Sequence, residues 1–302
     1  MSQPDLDHLL PTARAIAVRL DAERIDWVRA ERWIDYPVAL ECLAELQAII
    51  EQPPRGRMRN VLIFGPSGVG KSMLLARLLE NNAGGVDRVG SATAHPVLYV
   101  LMPPTPKPLD FFVQVFRSLG APVPTTHTVS KLQTNAVRLL RECHTRTLVI
   151  DEINSVLAGS PLQQRAFLQL LRFLSNELRL GLICAGTPEA AHALTGEPQL
   201  RSRFVDFKLP RWQNDEALRA FLARLVQSLP LRKPSPVDSP SLRNLIVERS
   251  AGLTTTICHV YERAAIAAIR SGREMLDRSS FEDAAVWRGV TQAAKGGTGA
   301  AI

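Results

Sequence analysis

Eight consecutive residues, Gly65-Pro66-Ser67-Gly68-Val69-Gly70-Lys71-Ser72, satisfy the pattern G-x-x-x-x-G-K-[ST] in full. Glycines allow backbone N–H groups to turn inward and approach phosphate oxygens with no Cβ in the way. A helix opening at the end of such a loop adds the positive end of its dipole. Lys71 then suits the β- and γ-phosphates, and the Ser72 hydroxyl suits Mg²⁺. Further along, Thr147-Leu148-Val149-Ile150 is an apolar run that ends in two adjacent acids, Asp151 and Glu152. Asp151 is placed to hold the water shell of a metal, and Glu152 to polarise an attacking water. A tight turn of chance composition could account for the first pattern, and a surface turn after a strand for the second. Their occurrence together points to hydrolysis of a nucleoside triphosphate, with ATP and Mg²⁺ the expected cofactors.

Such residues need a scaffold. A strand is expected at Val61–Phe64, delivering the chain into the glycine loop, and a helix from about Lys71 to Asn81 leaving it. Further short apolar strands are read at Val97–Leu101, Thr147–Ile150, Gly181–Ala185 and Phe204–Leu209, joined by helical patterns near Asp110–Leu119, Ser130–Cys143 and Pro188. Five short strands with helical connections imply an α/β fold with a five-stranded parallel sheet covered on both faces. Upstream, Val38–Glu51 reads as a helix with Leu40, Leu43, Leu46 and Ile50 on its apolar face, ended by Pro53-Pro54. After Pro210 only helical patterns recur, near 214–228, 239–250, 254–270 and 279–287, which reads as a small all-α lid. The expected division is an N-terminal helical segment (1–52), a P-loop core (53–210), a lid (211–290) and a disordered tail (291–302).

Composition narrows the setting. Hydrophobic residues make up 46% and charged residues 22%, the balance of a globular chain rather than a disordered one. The net charge of +7 favours a polyanionic partner. Cys42, Cys143, Cys184 and Cys258 are scattered without metal-ligand spacing, so each reads as a small buried hydrophobe in a reducing compartment. The N-terminal stretch is acidic and proline-bearing, unlike a signal peptide, and no apolar run is long enough to span a bilayer. A cytoplasmic protein without membrane partners is expected.

The two phosphate-chemistry motifs, followed by a helical lid, resemble AAA+ ATPases. That resemblance implies a γ-phosphate sensor after the fourth strand, where Thr187 follows Ala185-Gly186, although Gly-Thr-Pro would equally cap a helix. It also implies an arginine finger before the fifth strand, where Arg201 and Arg203 stand, as fixed positive charge for the γ-phosphate of a neighbouring subunit. More closely, Arg32-Trp33-Ile34-x-Tyr36-Pro37-x-Ala39, Tyr99-Val100-x-Met102-Pro103-Pro104, Leu209-Pro210-x-Trp212, Leu229-Pro230-Leu231-Arg232-x-Pro234-Ser235 and Ser250-x-Gly252 are similar, in order and spacing, to transposition regulators of the TniB/TnsC group. Trp33 and Tyr36 read as core anchors, with flanking of adenine as the alternative. One departure stands out. Many AAA+ lids carry a sensor arginine just after a glycine, whereas Gly252 here is followed by Leu253-Thr254-Thr255-Thr256.

The TniB/TnsC resemblance implies a homo-oligomer or filament assembled with ATP on duplex DNA, which recruits or activates a transposase and answers to a target-selection protein. Two acid-free loops, Thr105–Pro108 and Thr125–Lys131, suit phosphate oxygens of a duplex through Lys107, Thr128 and Lys131, without base readout. Ordinary solvated loops, with Ser130 capping the next helix, would look the same. A replication-initiator or helicase-loader ATPase and a protein-only ATPase switch share every nucleotide motif and remain as alternatives.

Overall fold

The computed structural model describes residues 5–83, 88–89, 92–124, 128–196 and 201–289. The expected tail and the Thr125–His127 part of the second loop lie outside them. Among the described residues the chain forms two compact units. The first is built on a five-stranded parallel sheet of β1 (Asn60–Phe64), β4 (Val97–Leu101), β5 (Thr147–Asp151), β6 (Gly181–Gly186) and β7 (Phe204–Lys208), in the order β4-β5-β6-β1-β7. A two-stranded antiparallel pair, β2 (Arg88–Val89) and β3 (Ala92–Thr93), precedes β4.

Burial follows position in the sheet. The interior strands β5 and β6 are buried at every residue, as parallel strands covered on both faces must be, whereas the edge strands β4 and β7 alternate or lie open. Crossovers are made by α4 (Lys71–Asn81), α5 (Pro108–Ser118), α6 (Val129–Glu142), α7 (Pro161–Leu178) and α8 (Pro188–Thr195). Phe111 of α5 and Phe167 of α7 meet edge to face, with ring centroids 5.2 Å apart, inside the main core.

Three expectations about this unit need correction. Helix α7 was not expected, although Ser160-Pro161 and Gln163 form a capping box with proline at the first turn, a start signal that the sequence carries. Helix α3 (Pro37–Glu51) buries Ala39, Cys42, Leu46 and Ile49, while Leu40 is 48% exposed, so its packed face is rotated from the one expected. Ser130 does not cap α6. Thr128 holds the N-cap position and Ser130 lies inside the first turn, its carbonyl accepting from Thr134 Oγ1 at 3.0 Å.

The second unit is helical and gathers residues 5–37, 67–70 and 210–289. Helices α1 (Pro11–Ala17) and α2 (Asp21–Arg29) belong to it, together with Glu216–Gln227, Pro240–Ser250 and Thr254–Arg270. The helix expected near 279–287 is two short pieces, Arg278–Glu282 and Ala284–Trp287, because Asp283 turns its carboxylate to the N–H of Ala285 and caps a new start. Tyr36, Trp212 and Phe221 form one aromatic cluster with centroid separations of 5.0, 5.6 and 4.7 Å. Tyr36 is therefore a core anchor, while the Trp33 indole donates to Asp35 Oδ1 at 2.6 Å.

Arg24 fastens α2 into this unit. It has no exposed surface, and its guanidinium donates to both oxygens of Glu274, to Asp21 Oδ1 and, through Nε and Nη2, to the Pro230 carbonyl at 3.2 and 2.8 Å. Every donor thus faces an acceptor in a place closed to water, which offsets the cost of burying the charge. Among the described residues no helix is long and apolar enough to cross a membrane. All four cysteines are free thiols, and Cys42, Cys143 and Cys184 are buried. Arg24→Ala leaves the buried Glu274 carboxylate with only the Arg232 backbone N–H at 3.2 Å and the Arg232 guanidinium at 3.9 Å, and should cost about 3 kcal/mol. Chemical denaturation of the Arg24→Ala, Glu274→Ala and double variants checks this, with the double variant losing less than the two singles added together.

Candidate nucleotide site

The site grows from the C-terminal ends of parallel strands. Phe64 of β1 is in register with Gly186 of β6, and Leu101 of β4 with Asp151 of β5, so the residues that follow these strands emerge on one side of the sheet. Gly65 N–H donates to the Gly186 carbonyl at 3.2 Å as the chain leaves β1. Gly68 and Gly70 then take φ values of +82° and +102°, a region that L side chains avoid. A Cβ at Gly70 would meet no atom within 4 Å, so the glycine is required by its backbone angle rather than by crowding.

Lys71 is 8% exposed, and its ammonium donates to the carbonyls of Gly65 and Pro66, each at 2.9 Å. Burial holds its pKa below the usual lysine value, opposed by the charges of Glu152 and Asp151. Ser72 Oγ donates to Asp151 Oδ2 at 2.9 Å. The same oxygen accepts from the Tyr99 hydroxyl at 3.3 Å, and the other carboxylate oxygen accepts from the Glu152 N–H at 2.8 Å. Burial, then the Asp151 charge, pushes the Tyr99 phenol up to about 12, so it remains a donor to Asp151 at neutral pH. Glu152 has φ +56°, uncommon for a residue with a side chain, and one of its carboxylate oxygens accepts from the Asn154 amide at 2.9 Å.

These residues fit Mg²⁺ and a polyphosphate. A hydroxyl and a carboxylate 2.9 Å apart are hard oxygen donors of the kind Mg²⁺ takes, beside a buried lysine and a glycine, Gly70, with open space at its Cβ position. Among the described residues no cluster of three or more His, Cys, Asp or Glu side chains could hold a metal by itself.

The helical unit also carries part of this loop, since Ser67–Gly70 group with it. Thr254 Oγ1 donates to the Val69 carbonyl at 3.0 Å. Thr255 donates to the Gly68 carbonyl twice, from its backbone N–H at 3.0 Å and its hydroxyl at 3.1 Å. The Trp212 indole N–H donates to Thr254 Oγ1 at 3.0 Å, and the Trp212 backbone N–H to the Gly252 carbonyl at 2.9 Å. Gly252 itself has φ +66°, and a Cβ there would stand 2.5 Å from the Trp212 carbonyl oxygen.

The remaining expected residues are dispersed. Thr187 holds the N-cap position of α8 without capping it, and its hydroxyl bonds the Glu189 carboxylate, holding that group below the usual range. Arg203 sits just before β7 and donates to Asn176 Oδ1 at 2.5 Å. Because Asn60↔Phe204 and Phe64↔Lys208 pair in parallel register, Arg203 lies at the opposite end of the sheet from the glycine loop, roughly 13 Å of strand away. Arg201 is exposed in the same segment. Lys107 and Lys131 are exposed at the starts of α5 and α6, and Thr128 is exposed at the N-cap of α6. Lys71, Ser72, Asp151 and Glu152 thus come together, while the arginines stand apart from them. Sequence reasoning missed Asn154, Tyr99 as a partner of Asp151, and Thr254 and Thr255 as partners of the loop. A lone tyrosine in the apolar run Val97–Leu101 was the available signal for Tyr99.

The architecture has relatives among solved structures. It is similar to the Orc1 protein of Aeropyrum pernix, solved in complex with DNA, at 20% identity and a TM-score of 0.62 over 93% of this chain and 69% of that one. Cdc6p of Pyrobaculum aerophilum gives 19% identity and 0.60 over 83% and 68%. The Orc2 protein of Aeropyrum pernix, solved as ADPNP-ADP complexes, gives 19% and 0.60 over 86% and 71%. At these identities the likeness establishes the AAA+ P-loop ATPase fold. No curated protein sequence matches the chain. The family model of the bacterial TniB protein matches residues 24–214, which takes in the glycine loop, both acids and all five sheet strands. With more than half of its length covered, this chain belongs to the bacterial TniB family.

Proposed function

We propose that the chain is an ATP- and Mg²⁺-dependent AAA+ ATPase that oligomerises on duplex DNA and recruits or activates a transposase in the cytoplasm. The observation that carries the nucleotide part is the set formed by Lys71, Ser72, Asp151 and Glu152 beyond the ends of β1 and β5. ATP with Mg²⁺ supplies the phosphoanhydride bond and a cation that draws charge from the phosphates. The chain's own residues do the rest. Val69 and Gly70 offer amide donors, Lys71 offers a buried cation, and Ser72 and Asp151 hold the metal. Glu152, set by its left-handed backbone and by Asn154, orients a water and accepts its proton. Thr187 serves as the γ-phosphate sensor from the end of β6. Lys71→Ala should abolish binding of a fluorescent ATP analogue. Glu152→Gln should retain binding and lose hydrolysis about 100-fold or more, read as phosphate release.

The missing lid arginine and the far-end placement of Arg203 support a finger acting in trans. Neither Arg201 nor Arg203 is placed to serve its own loop, whereas a neighbouring subunit could receive either. Mixing an Arg201→Ala/Arg203→Ala variant with a Lys71→Ala variant should therefore restore part of the ATPase activity that each lacks alone. Absence of rescue at every mixing ratio, with assembly intact, argues for fingers elsewhere.

DNA engagement through Lys107, Thr128 and Lys131 is supported by their exposure, by the basic balance of the chain and by the TniB family. The second reading is a replication-initiator or helicase-loader ATPase, a class that would share this fold and every nucleotide motif. A nucleotide-ordered oligomer repeats a few phosphate contacts along the backbone and gains by multivalency. Anisotropy with labelled duplex should show binding that requires ATP, falls steeply with salt and is indifferent to scrambling the sequence. Lys107→Ala/Lys131→Ala should weaken all duplexes alike and flatten the salt slope. Strong sequence preference would favour the initiator reading.

A further inference from the structure

We propose that Thr254 and Thr255 are positioning residues of the nucleotide site, which fix the direction of two amide donors in the phosphate loop and occupy the place of a lid arginine. The inference rests on the ATPase reading and names the residues that hold its phosphate cradle in shape.

The argument is one of peptide geometry. No peptide bond among the described residues is cis, so each peptide plane carries its C=O and the following N–H on opposite edges. Fixing the Gly68 carbonyl therefore fixes the Val69 N–H, and fixing the Val69 carbonyl fixes the Gly70 N–H. Thr255 holds the first carbonyl with two hydrogen bonds and Thr254 holds the second with one. Both N–H groups must then point away from the start of the helix Thr254–Arg270. Gly68 and Gly70 carry no Cβ to restrict their own ends of these peptides, so the external bonds bear on how the peptides are turned.

The clamp is itself held in place. Thr255 N–H is one of the first donors of its helix, which have no partner inside the helix, and the Gly68 carbonyl satisfies it. The Thr254 hydroxyl gives its proton to Val69 and takes the Trp212 indole proton, so the direction of each bond is determined. Trp212 is pinned by stacking on Phe221 at 4.7 Å and by its backbone bond to Gly252. Substituting valine keeps the β-branching of threonine and puts a methyl in place of the hydroxyl, which at position 254 also takes away the acceptor of the Trp212 indole.

The test compares the parent with Thr254→Val, Thr255→Val, the double valine variant and the corresponding serine variants. In nucleotide-free protein, the amide nitrogen resonances of Val69 and Gly70 should move in the valine variants and stay near parent positions in the serine variants. That signal reports the carbonyl bonds whether or not nucleotide binds. With fluorescent ADP and Mg²⁺, the double valine variant should bind about tenfold or more weakly, Thr255→Val least so because its backbone bond survives, and serine should restore affinity. Thermal unfolding should remain within a few degrees of the parent. Unmoved Val69 and Gly70 resonances, or parent-like ADP affinity in the double valine variant, would overturn the proposal. Equal losses in serine and valine variants would also overturn it, since the hydroxyl would then be irrelevant. A parent that binds no nucleotide, yet shows the resonance changes, would sink the ATPase reading and leave the clamp standing.

Discussion

A peptide plane carries its N–H and its C=O on opposite edges, and the phosphate loop is governed by that constraint. A loop that turns successive N–H groups inward must turn the matching carbonyls outward, where each needs a donor. Here Gly65 and Pro66 give their carbonyls to Lys71, and Gly68 and Val69 give theirs to two threonines. Much of what surrounds the loop can be traced to this need. Gly252 has no Cβ to strike the Trp212 carbonyl oxygen, so the chain can approach Trp212 there, and Trp212 in turn orients Thr254.

Charge at the site is arranged with similar economy. Asp151 is almost wholly buried, yet its two oxygens accept from Ser72, Tyr99 and its own neighbour's N–H, so the carboxylate is satisfied by hydrogen bonds from the chain. Lys71 is buried among carbonyls rather than paired with an acid, and it feels Glu152 and Asp151 only as charges at a distance. Hydrogen bonds thereby do the holding, and neither charge is spent on a direct ion pair with the other. The exposed Glu152 stands outside this buried set, where a water can reach it.

The parts of this arrangement written in consecutive residues were legible in the sequence. The loop, the strand ending in Asp151-Glu152 and the helix Lys71–Asn81 need only local pattern, because burial on both faces forces an apolar run and the glycines announce their angles. The packed face of α3 was misjudged because Leu40 is apolar yet lies on the open side, where an exposed leucine costs little. Helix α7 was overlooked despite its capping box, since its apolar positions are interrupted by glutamines and arginines. Thr254 and Thr255 were read only as the absence of an arginine. Their partners lie 185 and 187 residues earlier in the chain, and no local pattern reports a hydrogen bond to a distant carbonyl.

The placement of α2 has a consequence for how the chain is made. Arg24 is synthesised well before the groups that bury it, since its acceptor Glu274 follows 250 residues later and Pro230 follows 206 residues later. At ribosomal speeds of about 5–20 residues per second, the interval before Glu274 is roughly 12–50 seconds. All five strands of the sheet are complete by Lys208, so the sheet can assemble on the ribosome while α2 still lacks the residues that bury Arg24. Throughout that time a guanidinium destined for a dry interior stays in water, which suits it. Val28, the apolar residue that α2 buries in the same helical core, waits with it.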